Sequence, residues 1–585
     1  MLNIKNRKQY LEETSRKISW GHWFTFFNIL WAIMLGTRYA FIIDWPDTLF
    51  GKLYFFISLL GHFSFVVFVF YLLLIFPLSF LVKNQRTFRG LTVIISTLGV
   101  TLLLVDTEVF SRFNFHLSSL VWNLLVNPEN GELSRNWQLF FVPMPLILLA
   151  QMVFSRWSWE KLRSLERQKW LKAVGVFFVC TFTATHLIYA WADAYIYRPI
   201  TMQKSNFPLS YPMTARSFLE KHGFLDKTQY RQTLEQEGRL DALEIHYPKA
   251  ALHFVQPPQS QAKTNLVIIT VSGLRQDAIK AETMPALQHF AENSTQYTNH
   301  YSTGNNDNTG TTGIFYGISA EYTDSLLSNK TPSIFFQYVQ QRKAQYDLGL
   351  FSSTNFSAPL VRQALSMNKV KKGSTDNQTE IQRFQRWYEK ALQQDKPVVA
   401  YLSLNIAEGL NEGAYNQALH RLDQQLAPVL AQLENSDAVV ILTSEHGYHF
   451  APLEEKEAIN YFAPEQIQVP LIIHWDKLPV GEIDQLTSHT DILPTLMKHL
   501  FGLQNTIADY AQGVDLLNVS NKRQWVLAGN YRWNVIIAPD GEQYHIDDRG
   551  SYQKYDRTYQ KISSDRPPLG LFLDVFNQES SFMEK

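Results

Sequence analysis

The chain has one cysteine, Cys180, among 585 residues. Intrachain disulfides, cysteine zinc sites and a CxxC redox pair are therefore excluded by counting. It also lacks net charge, with 53 Lys and Arg against 53 Asp and Glu, and its second half holds no basic block. Displacing counterions from phosphates needs clustered Lys and Arg, so a nucleic-acid-binding footprint is missing. After residue 193 no apolar run exceeds about eight residues, too short to cross a bilayer. The first apolar run starts after about 19 residues, is too long for a signal-peptide core and has no small-x-small cleavage site, so it reads as an uncleaved anchor.

What is present falls into two unlike halves. Ten of the 14 Trp precede residue 193, where long uncharged runs alternate with short basic clusters. Five runs approach the roughly 20 apolar residues that a helix needs to cross about 30 Å of hydrocarbon. They are Trp20 to Ile43, Leu53 to Val82, Gly90 to Val105, Trp137 to Phe154 and Ala173 to Ala192. The N-terminus and the second and fourth loops hold 14 Lys and Arg, against Lys52, Arg112 and Arg135 in the other two loops. Short cytoplasmic segments carry such an excess. Residues 1–192 are therefore expected to form a multi-pass α-helical membrane domain of five helices with the N-terminus in the cytoplasm. The odd count puts the rest of the chain on the outer face, the periplasm of a bacterium with two membranes. His22, His62 and His186 lie in or at the start of spans and are expected as neutral imidazoles bonded to neighbouring helices.

Residues 193–250 read as a juxtamembrane connector. Its stretch Tyr197 to His222 carries Arg198, Lys204, Arg216 and Lys221 against one acid, Glu220, mixed with Tyr197, Phe207, Tyr211 and Phe218. Cations and aromatic rings just outside the last span can hold an anionic lipid headgroup, each cation contributing on the order of 1 kcal/mol. The competing arrangement is a self-satisfied helix in which Arg216 pairs with Glu220 at i,i+4.

Residues 251–585 open on a Pro/Gln/Ser linker, Gln256 to Lys263, and then alternate strand and helix patterns. Strands are expected at Asn265 to Val271, Tyr346 to Phe351, Val398 to Leu404, Ala438 to Thr443 and Val469 to His474. Helices are expected at Met284 to Asn293, Ser333 to Gln345, Thr379 to Gln394, Tyr415 to Leu433 and Asp491 to Leu500. Continuous apolar strands separated by helices imply an α/β domain with a parallel sheet covered on both faces, with ligands beyond the carboxyl ends of the strands. Hairpin-like alternation over Trp525 to Asp547, with a turn at Pro539-Asp-Gly541, adds a small C-terminal antiparallel subdomain.

Three strand ends carry the polar residues: Thr270-Val-Ser-Gly273, the stretch Ser302 to Gly317, and Ile441-Leu-Thr-Ser-Glu-His-Gly447. The last resembles the strand-end Asp-His-Gly of the alkaline phosphatase and sulfatase superfamily, supported by Val469 to Trp475 and Ser488 to Leu496 in fitting order. The N-terminal half, with Trp20-Gly-His-Trp-Phe24 and Gly61-His-Phe-Ser-Phe65, and the connector, with Tyr197-Arg-Pro-Ile-Thr-Met202 and Leu209 to Arg216, are similar to the YejM/PbgA-like family of inner-membrane sulfatase-like proteins. The resemblance covers essentially the whole chain. It implies a periplasmic sulfatase-like domain on five helices and a role in outer-membrane lipid balance. It further implies sensing of lipopolysaccharide (lipid A), cardiolipin or another anionic lipid at the connector, and a LapB-like regulatory protein partner on the cytoplasmic side. Arg216, Phe218 and Lys221 match the lipid-contacting connector, with Arg198 and Lys204 beside them, whereas Ser217 stands where a second Arg is expected.

Enzymes of the superfamily hold one or two divalent metals with several carboxylates and imidazoles, which polarise a phosphate or sulfate oxygen. Here the first strand end offers Ser272 in place of an acid, and Asn308 aligns with the hydroxyl nucleophile, one residue before Thr309. Glu445, His446 and Asp307 would leave at most a weak, oxygen-rich site for one divalent ion, Mg or Mn. The segments at Tyr401 to Asn405 and before Val469 lack imidazoles. The expectation is a catalytically degenerate domain. The alternative is a metal-dependent phospho- or sulfoester hydrolase, or a phosphoethanolamine-type transferase, with Thr309 as nucleophile. His420, His449 and His489 are expected as ordinary surface or helix-end residues.

Overall fold

A computed structural model describes residues 2–113, 116–118, 122, 141–168, 170–242, 244–255, 264–367, 376–394, 396–450, 453–518, 523–547, 551–562 and 569–583. The expected linker at 256–263, residues 137–140 of the fourth expected span and Lys169 lie outside these described residues. The chain divides into two units, residues 1–231 with 240–243, and residues 232–239 with 244–584.

The first unit is helical, because uncharged runs in hydrocarbon must satisfy their backbone groups internally. Its long helices are α1 (Leu2–Gly36), α2 (Leu49–Phe70), α3 (Gln85–Phe113), α4 (Met144–Glu160) and α5 (Trp170–Ala194). Among the described residues, four stretches are long and apolar enough to cross a membrane: Lys8–Phe41, Leu49–Leu81, Gln85–Ser111 and Trp170–Ala194. The 17-residue α4 runs antiparallel to α1, with Gln151 bonded to Asn28 and the Trp20 indole donating to Ser158 Oγ at 2.9 Å. Helix α2 is also antiparallel to α1, since Gly36 meets Leu59 and Phe63 while Gly21 meets Tyr71. At Gly61 a Cβ would lie 2.8 Å from the Phe182 backbone, so α2 and α5 touch main chain to main chain, as small residues permit in membranes.

Helix α3 runs past its expected end at Val105. Asp106 remains helical because its carboxylate accepts from the Tyr39 hydroxyl, from His116 Nδ1 at 2.8 Å and from the Leu117 amide at 2.6 Å. Two of the expected intramembrane histidines bond to the connector rather than to a neighbouring helix. His62 Nε2 lies 2.8 Å from Pro208 O, and the Met213 amide donates to His186 Nδ1 at 3.0 Å. The connector contains a short helix, α6 (Arg216–Lys221), followed by a helix at Lys227–Glu237.

The second unit is built on a seven-stranded sheet in the order β4-β5-β1-β6-β7-β2-β8. These strands are β1 (Leu266–Ser272), β2 (Thr295–Tyr297), β4 (Asp347–Ser352), β5 (Val398–Asn405), β6 (Val439–Thr443), β7 (Leu471–His474) and β8 (Gly481–Ile483), with β3 (His300–Tyr301) paired separately to β9 (Thr487–Ser488). The four strands β4, β5, β1 and β6 are parallel as expected, but β7 runs antiparallel to β6. Alternate residues face opposite layers. Val267, Ile269 and Val271 pack with Phe384 and Leu422, whereas Leu266 and Ile268 share a core with Phe335 and Leu496. Of the helices used below, α7 is Asp307–Thr311, α8 is Asn377–Ala391, α9 is Glu412–Glu434 and α10 is Leu569–Glu579. A five-stranded antiparallel sheet spans Val526–Gly529, Trp533–Ile537, Gln543–Asp547, Tyr552–Tyr555 and Lys561–Ile562. Gly541, at φ +85°, makes the expected turn.

The last residue of α10, Glu579, is buried against Glu321, and the Tyr322 hydroxyl donates to its carbonyl. Burial raises both carboxyls above their ordinary range, and the neighbouring Glu321 charge raises Glu579 further. The folded pair therefore binds more protons than the unfolded chain. Its stabilising contribution is full below about pH 4.5, the ordinary glutamate value, and is lost as the pH rises through the raised folded values. Thermal unfolding followed from about pH 5 to pH 8 should show this decline. Glu579→Gln should flatten it and raise Tm at pH 8 by about 2–4 °C; an unchanged slope would remove the pair as its source.

Candidate functional site

The parallel strands deliver their polar residues to one edge, as α/β sheets do. Strand β1 ends in Ser272, β5 in Asn405, and β6 runs into Ser444, Glu445 and His446. The segment after β3 turns into α7, whose first residue is Asp307. Gly310 lets α7 lie directly on the β6 end, because a Cβ there would sit 2.1 Å from Glu445 O.

Asp307 and His446 are joined by Ser272, and Glu445 lies near enough to feel the charge of both. Asp307 Oδ1 lies 3.2 Å from His446 Nε2 and accepts from the Ser272 hydroxyl, which is itself 3.1 Å from Nε2. The other ring nitrogen, Nδ1, lies 2.8 Å from Gly447 O. Both nitrogens thus have an oxygen acceptor, which suits the doubly protonated ring. Burial works to lower the His446 pKa, but the Asp307 carboxylate overcomes it and pushes the ring up to about 8. Burial alone would raise Asp307, yet the hydrogen bond and charge of His446 hold it below the usual carboxylate range. Glu445 is raised by burial and then by the Asp307 charge; Tyr401 donates to its Oε1 at 3.4 Å, and its Oε2 is buried without a partner.

A divalent ion needs carboxylates and neutral imidazoles with lone pairs aimed at one point. Here Nε2 of His446 directs a proton at Asp307, and Ser272 occupies the same carboxylate. Among the described residues no three His, Cys, Asp or Glu form a metal-binding group. The residues present do not fit the metal that the superfamily resemblance implies.

Thr309 is 4% exposed, and its hydroxyl closes the N-terminal cap of α7 by accepting from the Asn306 amide at 3.1 Å and donating to Asn306 O at 3.0 Å. Asn308 Oδ1 accepts from the Leu360 amide. His489, expected at a surface or helix end, is instead fully buried. Its Nε2 lies 3.3 Å from Thr443 Oγ1 and its ring 5.1 Å from that of His300, in room left by Gly313. Gln466 escaped the sequence reading. Its Nε2 reaches Asn305 O at 3.0 Å and His446 Nδ1 at 3.3 Å, and a lone Gln before β7 carries no pattern that announces it.

At the connector, neither Arg216 nor Glu220 takes the partner that i,i+4 spacing suggests. Arg216 donates to both Asp193 oxygens at 2.6 and 2.5 Å and lies under 6 Å from the Tyr230 ring centroid, while Glu220 pairs with Lys227 at 3.4 Å. Lys204 pairs with Asp241 at 3.4 Å. Arg198 opens the short helix Arg198–Thr201. Phe218 is 61% exposed, and Lys221 is exposed on the same helix, α6. Leu209, Tyr211 and Met213 just before it are also open.

Two family models match the chain: a domain of unknown function, DUF3413, over residues 7–254, and Sulfatase over residues 367–503. An uncharacterized protein of Haemophilus influenzae is 59% identical over 99% of this chain and 98% of its own length. The inner membrane protein YejM of Salmonella typhimurium is 41% identical over 99% of this chain and 100% of its own length. The chain belongs to the YejM family. As a YejM-family member it is an inner-membrane protein of the sulfatase superfamily, its apolar helices preceding a hydrolase-like α/β domain. Among solved structures, an alkaline phosphatase superfamily protein from Vibrio parahaemolyticus matches the YejM-family chain with a TM-score of 0.44 and 14% identity, covering 61% of this chain and 98% of that one.

Proposed function

We propose that this chain senses envelope lipid in the inner membrane and regulates lipopolysaccharide balance, binding an anionic lipid at its connector. Its sulfatase-like domain then lies in the periplasm and serves in binding and signalling rather than turnover. The observation that carries this reading is the connector surface itself. Exposed Leu209, Tyr211, Met213 and Phe218 accompany Lys221 and the half-exposed Arg216 directly after the last helix. Apolar and aromatic side chains beside cations at that depth match acyl chains and an anionic headgroup. Support for lost turnover comes from His446, which compensates Asp307 as a cation would. The hydrogen bonds that tie His62 to Pro208 O and the Met213 amide to His186 give lipid binding a route into the helices, and through them to a LapB-like partner on the cytoplasmic face.

The test is binding of full-length protein to vesicles carrying lipopolysaccharide or cardiolipin, against neutral vesicles. Lys221→Ala should weaken binding about fivefold, the equivalent of about 1 kcal/mol for one cation. Glu445→Ala with His446→Ala should leave it within about twofold, a change of about 0.4 kcal/mol. The opposite ranking of the two variants would sink the sensor reading.

A further inference from the structure

Beside His446 opens a cavity of about 680 Å³, within the range of about 300–1,000 Å³ for small-molecule sites. Carboxylates predominate among the charged side chains of its wall. Glu235, Asp324 and Glu408 contribute carboxylates, and among the described residues no Lys or Arg lines it. His446 in the wall is already paired with Asp307, at 3.2 Å. Arg239 lies over the Tyr531 ring, 4.2 Å from its centroid, outside the lining. A sulfate or phosphate ester entering such a pocket needs Arg, Lys or a metal to offset its desolvation. This wall instead repels it.

The remaining polar lining includes amides, aromatic rings, the Thr309 and Thr323 hydroxyls and the His449 imidazole. Asn306, Asn308 and Gln466 supply planar amides, and Tyr461 and Tyr531 supply rings. Gln466 is 7% exposed, and its Oε1 is buried with no donor, while its Nε2 donates to Asn305 O at 3.0 Å. A buried acceptor left in this way is costly until a ligand hydroxyl or ammonium reaches it. Aromatic faces receive the C–H face of a pyranose, planar amides and carboxylates receive its hydroxyls, and both carboxylates and ring faces favour an ammonium group.

We infer that this cavity binds an amino-sugar oligosaccharide free of anionic substituents. Tyr461 and Tyr531 stack on its rings, Gln466 Oε1 accepts a hydroxyl or ammonium proton, and Glu235 and Glu408 attract its ammonium groups. This goes beyond lipid binding at the connector and stands without it.

Calorimetric titration of the full-length protein in detergent tests the assignment, with a glucosamine tetramer, its N-acetylated counterpart and a sulfated glucosamine tetramer as probes. The glucosamine tetramer should bind, the N-acetylated one at least threefold more weakly, and the sulfated one without detectable heat. Tyr531→Ala with Glu408→Gln should weaken the glucosamine tetramer at least tenfold with Tm unchanged, and Tyr531→Phe should retain it. Failure of all three probes to bind, equal or tighter binding of the sulfated tetramer, equal affinity for the N-acetylated one, or indifference to the double variant would each overturn the inference.

Discussion

Arg216→Ala is expected to destabilise the helical unit by about 2–3 kcal/mol and to weaken lipid binding at the same time. Asp193, 1% exposed, accepts both bonds from the guanidinium, so alanine at 216 leaves a buried carboxylate without its partner. Breaking a fully buried pair costs about 3–5 kcal/mol. Arg216 is 46% exposed, so solvent screens part of the interaction and the lower figure applies. Adding Asp193→Asn to Arg216→Ala should restore most of the stability, because the stranded charge is gone, while binding to lipopolysaccharide vesicles stays weak. Asp193→Asn alone should tighten vesicle binding by up to about fivefold, since the lipid no longer competes with Asp193 for the cation. Thermal unfolding in detergent and vesicle co-sedimentation separate the two effects. If Asp193→Asn weakens lipid binding, Arg216 acts only as a structural ion pair.

The second large effect is expected at Gly310. An alanine Cβ would lie 2.1 Å from Glu445 O, 2.7 Å from its carbonyl carbon and 2.8 Å from its Cα. All three are backbone atoms at the end of a central strand, so no side chain can swing aside. Overpacking costs about 1–3 kcal/mol where neighbours relax, and more where they cannot; a loss of at least about 3 kcal/mol is expected for Gly310→Ala. Moving α7 off the strand end also parts Asp307 from His446, which should return the His446 titration toward the ordinary histidine value, read by NMR. Gly413→Ala is the contrasting change. Its added Cβ meets only Asn411 Oδ1, at 3.6 Å, so the helix-propensity gain of about 0.5–1 kcal/mol should appear. Equal unfolding behaviour of the two variants would refute the close approach of α7 to the strand.

Local pattern made much of this architecture readable from the sequence. The strand Asn265 to Val271 was expected from its β-branched run and forms at Leu266–Ser272, and the helix expected at Tyr415 to Leu433 forms at Glu412–Glu434. Burial on a two-residue or 3.6-residue period writes itself into neighbouring positions. In the sequence the third span ends near Asp106, because a lone carboxylate argues against hydrocarbon. Tyr39 and His116, which satisfy it, come from other segments. The antiparallel turn of β7 was equally hidden, since an apolar strand buried on both faces has the same composition in either direction.

By itself the sequence determined that apolar helices precede an α/β sulfatase-like domain. That order follows from residue type and short spacing. Only the tertiary structure decided that Ser272 and His446, 174 positions apart, close over Asp307. It alone assigned Arg216 to Asp193, 23 positions away, and buried His489 fully beside Thr443. Such pairings depend on which surfaces the packed core brings within about 3 Å, the reach of a hydrogen bond, and no periodicity along the chain encodes that meeting.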